Sequence, residues 1–535
     1  MLIHRIAAQL FTAEGPRVIE EALDEGKDAT LAVSQSARAL MLAAQFARRP
    51  RPCVYVVSGE DAADRAAREL ASYVGLEYVE RYPERRDMPW RDQEPDDAVV
   101  AARCAALERV ASGKPCIMVA SARALLRCVP PRESQFWRSV TFTVGEEVPF
   151  ESVPQRLVAM GYTASDAADA PGLFRVHGDA VDVYPAQATS PVRIEFFGDE
   201  IDRIRHMVTS TGQTIGDDTS IRVYPCRELA LTDDAVRRIK AALYQPAQND
   251  TELAALLEMV EARVVTPELD RFLPLMYETT VSPLAHVSEN ALVVLSEPRS
   301  LFDDCMRAYE DLDRRAGEAK VARLDGLFVR PQELDFGHQQ RLNYVSLIRA
   351  GGAVTAELKI EQPAIAGSDT RFISRIKEVV ANRYACVFSA PDRGARESLE
   401  LTFNDEAIPF EESLISADEN AGKVGSAEVT VTLLKRDADR LNARPIEDGA
   451  PQAGGRAGRI AVPTLTRGRV TFVDAAFPRG VVVPEAHLAI FSIGDLSARM
   501  DARRGQRVRR RVDVTEVTFP FKPGDYVVHA THGIA

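Results

Sequence analysis

The sequence predicts a multidomain chain of α/β and α+β parts, and three observations carry that prediction. The chain has 535 residues, about three times the common single-domain length, so three or four domains with separate cores are expected. Between residues 15 and 130, apolar runs alternate with stretches of helical spacing. Between 173 and 206, short strand-like runs crowd together with turn residues between them. A composition of 46% hydrophobic and 27% charged residues excludes global disorder. Lys and Arg number 66 against 79 Asp and Glu, and the net charge of −13 argues against a chain that coats nucleic acid along its whole surface. No apolar run approaches the ~18 to 20 residues that span a bilayer. The start, Met1-Leu2-Ile3-His4-Arg5-Ile6, runs into polar residues without a signal core, so a cytoplasmic chain with no membrane partner is expected.

The α/β reading is built element by element. Helix Arg17 to Asp24 places Ile19, Ala22 and Leu23 inward and stops at Gly26. Strand Thr30 to Val33 and helix Ser36 to Arg48 come next, then strand Cys53 to Val57, helix Asp61 to Tyr73 and strand Leu76 to Glu80. Helix 96–111 carries Val100, Cys104, Leu107 and Ala111 at helical spacing, with Asp96 and Asp97 at the positive end of its dipole. Strand Cys116 to Ala120 follows. Continuously apolar strands joined through helices imply a parallel sheet covered on both faces.

A nucleotide site in such a sheet requires a phosphate loop after the first strand. The segment there is Ala32-Val33-Ser34-Gln35-Ser36-Ala37-Arg38-Ala39. Laid on G-x-x-x-x-G-K-[ST], it has Ala32 and Ala37 where glycines let backbone amides approach phosphate. Arg38 replaces the lysine and Ala39 the magnesium-binding hydroxyl. No acidic strand end of the Walker-B kind accompanies it, and the expectation is a domain that binds no nucleotide. The seven cysteines, at 53, 104, 116, 128, 226, 305 and 386, form no C-x-x-C pair and read as reduced core residues. His529 and His532 lack further ligands, so no metal site and no catalytic residue are predicted.

From about 139 the pattern becomes α+β. Helix Glu151 to Met160 precedes strands Leu173 to His177, Ala180 to Tyr184, Val192 to Phe197 and Ile201 to His206, read as an antiparallel sheet with one helix. Alternation sends Val192, Ile194 and Phe196 to one face and Arg193, Glu195 and Phe197 to the other. An outward aromatic beside an arginine has the composition of an interaction hot spot. The alternative is that Phe197 packs beneath a helix.

Residues 210 to 365 read as mostly helical, with amphipathic Glu252 to Ala262, a strand at Ala291 to Leu295 and a helix from Arg299 to Arg314. A second α/β unit follows, with helix Phe372 to Ala381, strand Tyr384 to Ser389 and helix Asp392 to Thr402. Strands Arg469 to Val473, Val481 to Val483 and His487 to Phe491 complete it, across a Gly- and Ala-rich loop from Asn442 to Gly458. Arg503 to Arg511 holds six arginines in nine residues, a solvated linker or, alternatively, a nucleic-acid contact; base-stacking aromatics are absent from it. Lys522-Pro523-Gly524-Asp525-Tyr526-Val527-Val528-His529 reads as a turn and one strand of a small β-barrel, with a second turn at Gly533, and a longer natural protein is expected.

Phe174-Arg175-Val176-His177-Gly178-Asp179-Ala180-Val181-Asp182-Val183-Tyr184-Pro185 and Pro191 to Ile201 together resemble the strand pair shared by UvrB and the bacterial transcription-repair coupling factors (Mfd). The Lys522 to His529 segment, with His532-Gly533-Ile534, is similar to the start of the polymerase-interacting, CarD-like barrel of the coupling factors, and the decayed loop at 32–39 to their UvrB-like module. The resemblance implies a UvrB-like α/β domain at 1–135 and a UvrA-binding α+β domain at 136–210. It implies a second part of the module at 211–350, a middle α/β domain at 365–495, an Arg-rich linker at 496–514 and a truncated RNA-polymerase-interacting domain at 515–535.

By the resemblance, the UvrA-binding surface falls on Arg193 and Phe197, joined by His177 or Arg175, with Glu195 between them free to pair with either arginine. A neutral histidine cannot supply the bidentate fork of an arginine. The implied partners are UvrA, the RNA polymerase β subunit and double-stranded DNA. The implied full-length activity is ATP-driven DNA translocation that displaces stalled polymerase. No cofactor is implied for this segment, since ATP and magnesium belong to motor domains elsewhere. The alternative is a UvrB-type damage-recognition ATPase. It needs an intact phosphate loop and an aromatic-rich hairpin, whereas Tyr82 to Asp92 holds two aromatics.

Overall fold

A computed structural model describes residues 2–90, 96–133, 139–186, 188–209, 211–229, 231–319, 324–334, 339–347, 354–363, 369–411, 430–433, 458–461, 465–493, 495, 528–529 and 533–534. Helices α1 (Leu2–Leu10) and α2 (Glu14–Asp24) lead into strand β1 (Ala29–Ala32), and α2 buries Ile19, Ala22 and Leu23 as their spacing predicts. Then come α3 (Gln35–Arg48), β2 (Pro52–Val57) and α4 (Glu60–Val74). The strand expected at Leu76 to Glu80 begins as a 3-10 turn at Leu76–Tyr78, and β3 occupies Val79–Tyr82. Helix α5 (Asp97–Ala111) is capped by Asp96, whose carboxylate accepts from the Ala98 and Val99 amides, and β4 is Cys116–Ser121.

The next unit holds β5 (Val140–Thr143), α6 (Ser152–Ala159), β6 (Thr163–Ala164), β7 (Leu173–His177), β8 (Ala180–Val183), β9 (Val192–Phe197), β10 (Glu200–Met207), β11 (Thr214–Asp218) and β12 (Ser220–Val223). Six of these strands form one sheet in the order β11-β10-β9-β8-β7-β6, antiparallel except for the β6–β7 pair, which is parallel. The purely antiparallel sheet expected from the sequence is corrected there. Strands β5 and β12 pair with each other separately.

The chain continues through α7 (Asp233–Ala247), α8 (Thr251–Glu261), α9 (Leu273–Met276), β13 (Leu292–Ser296), α10 (Pro298–Glu318), β14 (Gln340–Val345) and β15 (Val354–Glu357). The mostly helical reading of 210–365 is therefore wrong in part: the strand expected at Ala291 to Leu295 is β13, but β11, β12, β14 and β15 lie there too. Three of them complete the first sheet, which has seven parallel strands in the order β15-β1-β14-β13-β2-β4-β3. Strands from beyond residue 290 thus separate β1 from β2. One face of β2 sets Cys53, Tyr55 and Val57 against α3 and α4, and the other sets Val54 and Val56 in the cluster that contains Leu301, Cys305 and Ala308 of α10.

The second α/β unit has α11 (Asp369–Ala381), β16 (Ala385–Ser389), α12 (Arg393–Asp405), β17 (Phe410–Glu411), β20 (Arg469–Val473), β21 (Val481–Val483) and β22 (Leu488–Ser492). Its sheet runs β17-β20-β16-β22-β21, parallel but for β21. A short pair, β18 (Thr430–Leu433) and β19 (Gly458–Ala461), is antiparallel. Helices α1 and α4 also touch this unit: Tyr73 lies 4.7 Å from Phe477 between ring centres, and the Gln9 amide donates to the Ala486 carbonyl. Near the end, β23 (Val528–His529) pairs with β24 (Gly533–Ile534), so a strand stands where a turn was expected. Of the loop expected at Asn442 to Gly458 only Gly458 is described, and it opens β19; the rest of it and the arginine run at 503–511 lie outside the described residues.

A buried ion cluster ties the six-stranded unit to the first sheet. Arg103 meets Glu228 at 2.5 Å, and Arg85 meets Glu228 at 3.0 Å and Asp87 at 2.6 Å. Arg127 meets Asp87 at 3.1 Å and Asp270 at 3.0 Å, and Asp270 also pairs with Arg85. Burial alone would raise the Glu228 carboxyl, but Arg103, Arg85 and Arg127 outweigh it and hold it below its ordinary value. Three arginines facing three carboxylates make the chain's exit from the sheet unit a fixed point, since a lone buried charge there would be costly.

Candidate functional site

Two tight hairpins set the register of the six-stranded sheet. In His177-Gly178-Asp179-Ala180 and Phe197-Gly198-Asp199-Glu200 only the first central residue has positive φ, 56° at Gly178 and 66° at Gly198. That is the type II′ pattern, which glycine adopts without a Cβ clash. The register places Arg175 opposite Asp182, Asp182 opposite Arg193, and Arg193 opposite Arg205. One row of charges thus crosses four strands on a single face. The opposite face is core: Val181, Val183, Val192, Ile194 and Phe196 are buried with Val153 and Leu157 of α6, and Phe150 packs on Phe196 at 5.2 Å between ring centres.

Alternation correctly separates the inward and outward residues of β9. Phe197 is 82% exposed, so it does not pack beneath a helix. Arg193 lies four residues earlier on the same face and is held in place: its Nε donates to Asp182 Oδ1 at 2.7 Å and one Nη to Asp182 Oδ2 at 2.9 Å. The hydrogen bonds to Asp182 are the largest cause raising the Arg193 guanidinium above its ordinary value. His177 Nε2 also reaches Asp182 Oδ2, at 3.0 Å. Arg175 is exposed on the same face. Glu195 was expected to pair with Arg193 or Arg175; instead it pairs with Arg205 of β10, because Asp182 already occupies Arg193.

Asp182, only 3% exposed, is the organising residue that sequence reasoning missed. It had a signal: a carboxylate inside the apolar run Ala180-Val181-Asp182-Val183, at the position that a two-residue hairpin sets opposite Arg175. A buried carboxylate holding a bidentate arginine presents a pre-oriented cation on the same face as an exposed aromatic. This arrangement has the residue types on which protein interfaces concentrate their energy.

The segment expected to be a decayed phosphate loop is short. Only Val33 and Ser34 separate the end of β1 at Ala32 from the start of α3 at Gln35, and Ala37 and Ala39 are buried within the helix. Arg38 is also buried, and it donates to Ser296 Oγ at 2.7 Å, Ser346 Oγ at 3.1 Å and the Glu297 carboxylate at 2.5 Å. Glu297 in turn accepts from the Ser346 amide at 2.7 Å. It sits at φ 58°, a strained conformation for a non-glycine residue. Its guanidinium committed to β13 and β14 neighbours, Arg38 spans the strand ends where a phosphate would lie. All seven cysteines are free and buried, and no metal-holding group of His, Cys, Asp or Glu occurs among the described residues. Among them too, no helix is long and apolar enough to cross a membrane.

Residues 140–229 match the family described as the UvrB interaction domain, a span that holds the whole charged row. The chain is 27% identical over 526 residues to the transcription-repair-coupling factor of Mycobacterium tuberculosis, covering 94% of this chain and 40% of that protein. The same protein of Bacillus subtilis is 28% identical over 299 residues, 51% of this chain and 25% of that one. UvrABC system protein B of Mycobacterium tuberculosis is 32% identical over 174 residues, 32% of this chain and 24% of the relative. The chain therefore spans about two-fifths of the length of the Mycobacterium tuberculosis coupling factor. The resemblance read from the strands around residues 174–201 holds: the chain is similar to transcription-repair-coupling factors across nearly all its length and carries a UvrB interaction domain match at 140–229.

Proposed function

We propose that this chain is a recruiting part of a transcription-repair coupling protein and that it binds UvrA through the outward face of β7 and β9. One observation carries the reading: Phe197, 82% exposed, shares the outward face of β9 with an Arg193 fixed by Asp182, within the UvrB interaction domain match. Exposed aromatics and oriented arginines are the residue types on which interfaces concentrate their energy. Arg175 and His177 extend the contact, and Glu195 serves it indirectly by holding Arg205. The setting is cytoplasmic. In a protein of the relatives' full length, ATP and magnesium, DNA translocation and contact with the RNA polymerase β subunit and double-stranded DNA belong to other segments. The domain boundaries given above, the middle domain at 365–495 and a polymerase-binding barrel opening near 515 are parts of the same proposal.

The test is capture of UvrA by the full chain and by its Arg193→Ala and Phe197→Ala variants. Undiminished capture by both variants refutes the site. The UvrB-like identity over 174 residues favours a second reading, an ATPase of the UvrB type. Arg38 and the missing loop glycines oppose it. Magnesium-dependent ATP hydrolysis by this chain would establish it.

A further inference from the structure

The first sheet has a second feature that recruitment does not use. Adjacent strands β13 and β2 send the chain in opposite directions, β2 through α4 toward β3 and β13 through α10 toward β14. The two helices pack on opposite faces of the sheet. In open parallel sheets such a divergence leaves a crevice beyond the carboxyl ends of the strands, and ligands bind there. Here that crevice is a cleft of about 660 Å³. Its walls come from Ser58 to Ala62 after β2, Glu84 to Met88 after β3, Arg123 to Arg127 after β4, and one side of α10.

The cleft is amphipathic. Met88, Leu126, Leu312 and Phe328 line it together, while Arg65, Arg86, Arg123 and Arg315 bring guanidinium groups to it. Arg65 and Arg86 make no hydrogen bond or ion pair with any described residue; the nearby carboxylates include Glu69 for Arg65 and Glu84 for Arg86. Arg123 is only loosely held, 3.7 Å from Glu84. Of the acidic residues in the walls, Glu60 is engaged by Arg81 at 2.6 Å and Asp311 by Arg315 at 2.8 Å. Asp61 remains as an exposed opposing charge, and Glu84, 3.7 Å from Arg123, as a half-buried one. Behind them, Arg85 and Arg127 are consumed by the buried ion cluster and form a neutralised back wall.

We propose that this cleft binds a small oligophosphate, either free or as the phosphate chain of a nucleotide, with Arg65 and Arg86 as its principal forks. Guanidinium groups with uncommitted donors match phosphate oxygens in pairs, and the apolar wall would seat a base where one is attached. The site differs from the decayed loop at 32–39: of that segment only Gln35 reaches the rim.

The experiment is calorimetric titration of the full chain, without magnesium, with pyrophosphate, tripolyphosphate and ADP, repeated on Arg65→Ala/Arg86→Ala. Both side chains are exposed, so the variant retains its fold, which circular dichroism verifies. Saturable binding that weakens at least tenfold in the double variant is expected. Tighter binding of ADP than of pyrophosphate identifies a nucleotide, and the reverse identifies a free oligophosphate. No saturable binding of any of the three overturns the proposal, as does an affinity unchanged in the variant. Binding of a thymidine oligonucleotide with none of the small oligophosphates would reassign the cleft to nucleic acid and also overturn it.

Discussion

Replacing Asp182 by Asn tests the architecture of the docking face without touching its exposed residues. The native carboxylate, its side chain 4% exposed, accepts two hydrogen bonds from Arg193 and lies 3.0 Å from His177 Nε2. Asparagine removes the charge and turns an NH2 group toward a guanidinium donor. Hydrogen bonds to charged groups contribute roughly 1.5–3 kcal/mol. Arg193, about a quarter exposed, recovers part of this by turning toward water, so the expected loss is about 2 kcal/mol. That corresponds to roughly 30-fold. Amide hydrogen exchange of the full chain should therefore quicken about 30-fold in β8 and β9, at Val181, Val183, Val192 and Ile194, while Val54 and Val56 of β2 keep their protection. A double-mutant cycle of Asp182→Ala with Arg193→Ala should give a coupling above about 1 kcal/mol. Protection in β8 and β9 within about threefold of the wild type, together with additive single effects, would refute the reasoning.

Acid should dissolve the buried cluster in a defined window. Burial alone would raise the Asp87 carboxyl, but Arg127 and Arg85 outweigh it and bring it down to about 2, against ~3.9 in an unfolded chain. Its stabilisation is complete above about pH 4 and is lost as the pH falls through about 2, so Asp87→Asn should flatten the melting temperature against pH across that interval. Gly15→Ala should destabilise by more than about 2 kcal/mol, because a Cβ there would lie 2.2 Å from the Glu357 carbonyl oxygen of β15. Gly317→Ala, with nothing within 4 Å in α10, should instead stabilise by roughly 0.5–1 kcal/mol in the same thermal melts. Burial pushes the Cys53, Cys116, Cys226 and Cys386 thiols up to about 12, so a thiol reagent should find no reactive cysteine in the native chain and seven in denaturant.

Local pattern was legible where burial follows strand alternation or helical spacing. Strands Leu173–His177, Val192–Phe197, Arg469–Val473 and Val481–Val483 stand where the sequence places them, as does the outward pair Arg193 and Phe197. What escaped was non-local or weakly patterned. Strand β14 reads Gln-Arg-Leu-Asn-Tyr-Val, buried chiefly at Leu342 and Tyr344, and β11 carries Gly216, Asp217 and Asp218, residues of low strand propensity. No local signal reveals that β13 and β14 lie between β1 and β2, since the β1–β14 and β2–β13 pairings join residues more than 200 positions apart. The Arg85 cluster was hidden for the same reason: Glu228 lies 143 positions away and Asp270 lies 185. Asp182 was legible in principle from hairpin register, but a search confined to cations and aromatics passed over the carboxylate that orients them.

The affinity of purified UvrA for the full chain, measured by calorimetry for the wild type, Phe197→Ala and Arg193→Ala, tests the central claim most directly. Truncating a hot-spot residue costs roughly 2 kcal/mol or more, so each variant should bind at least about 30-fold more weakly. Because Phe197 is 82% exposed, its variant should melt as the wild type does. Wild-type affinity in both variants would contradict the account.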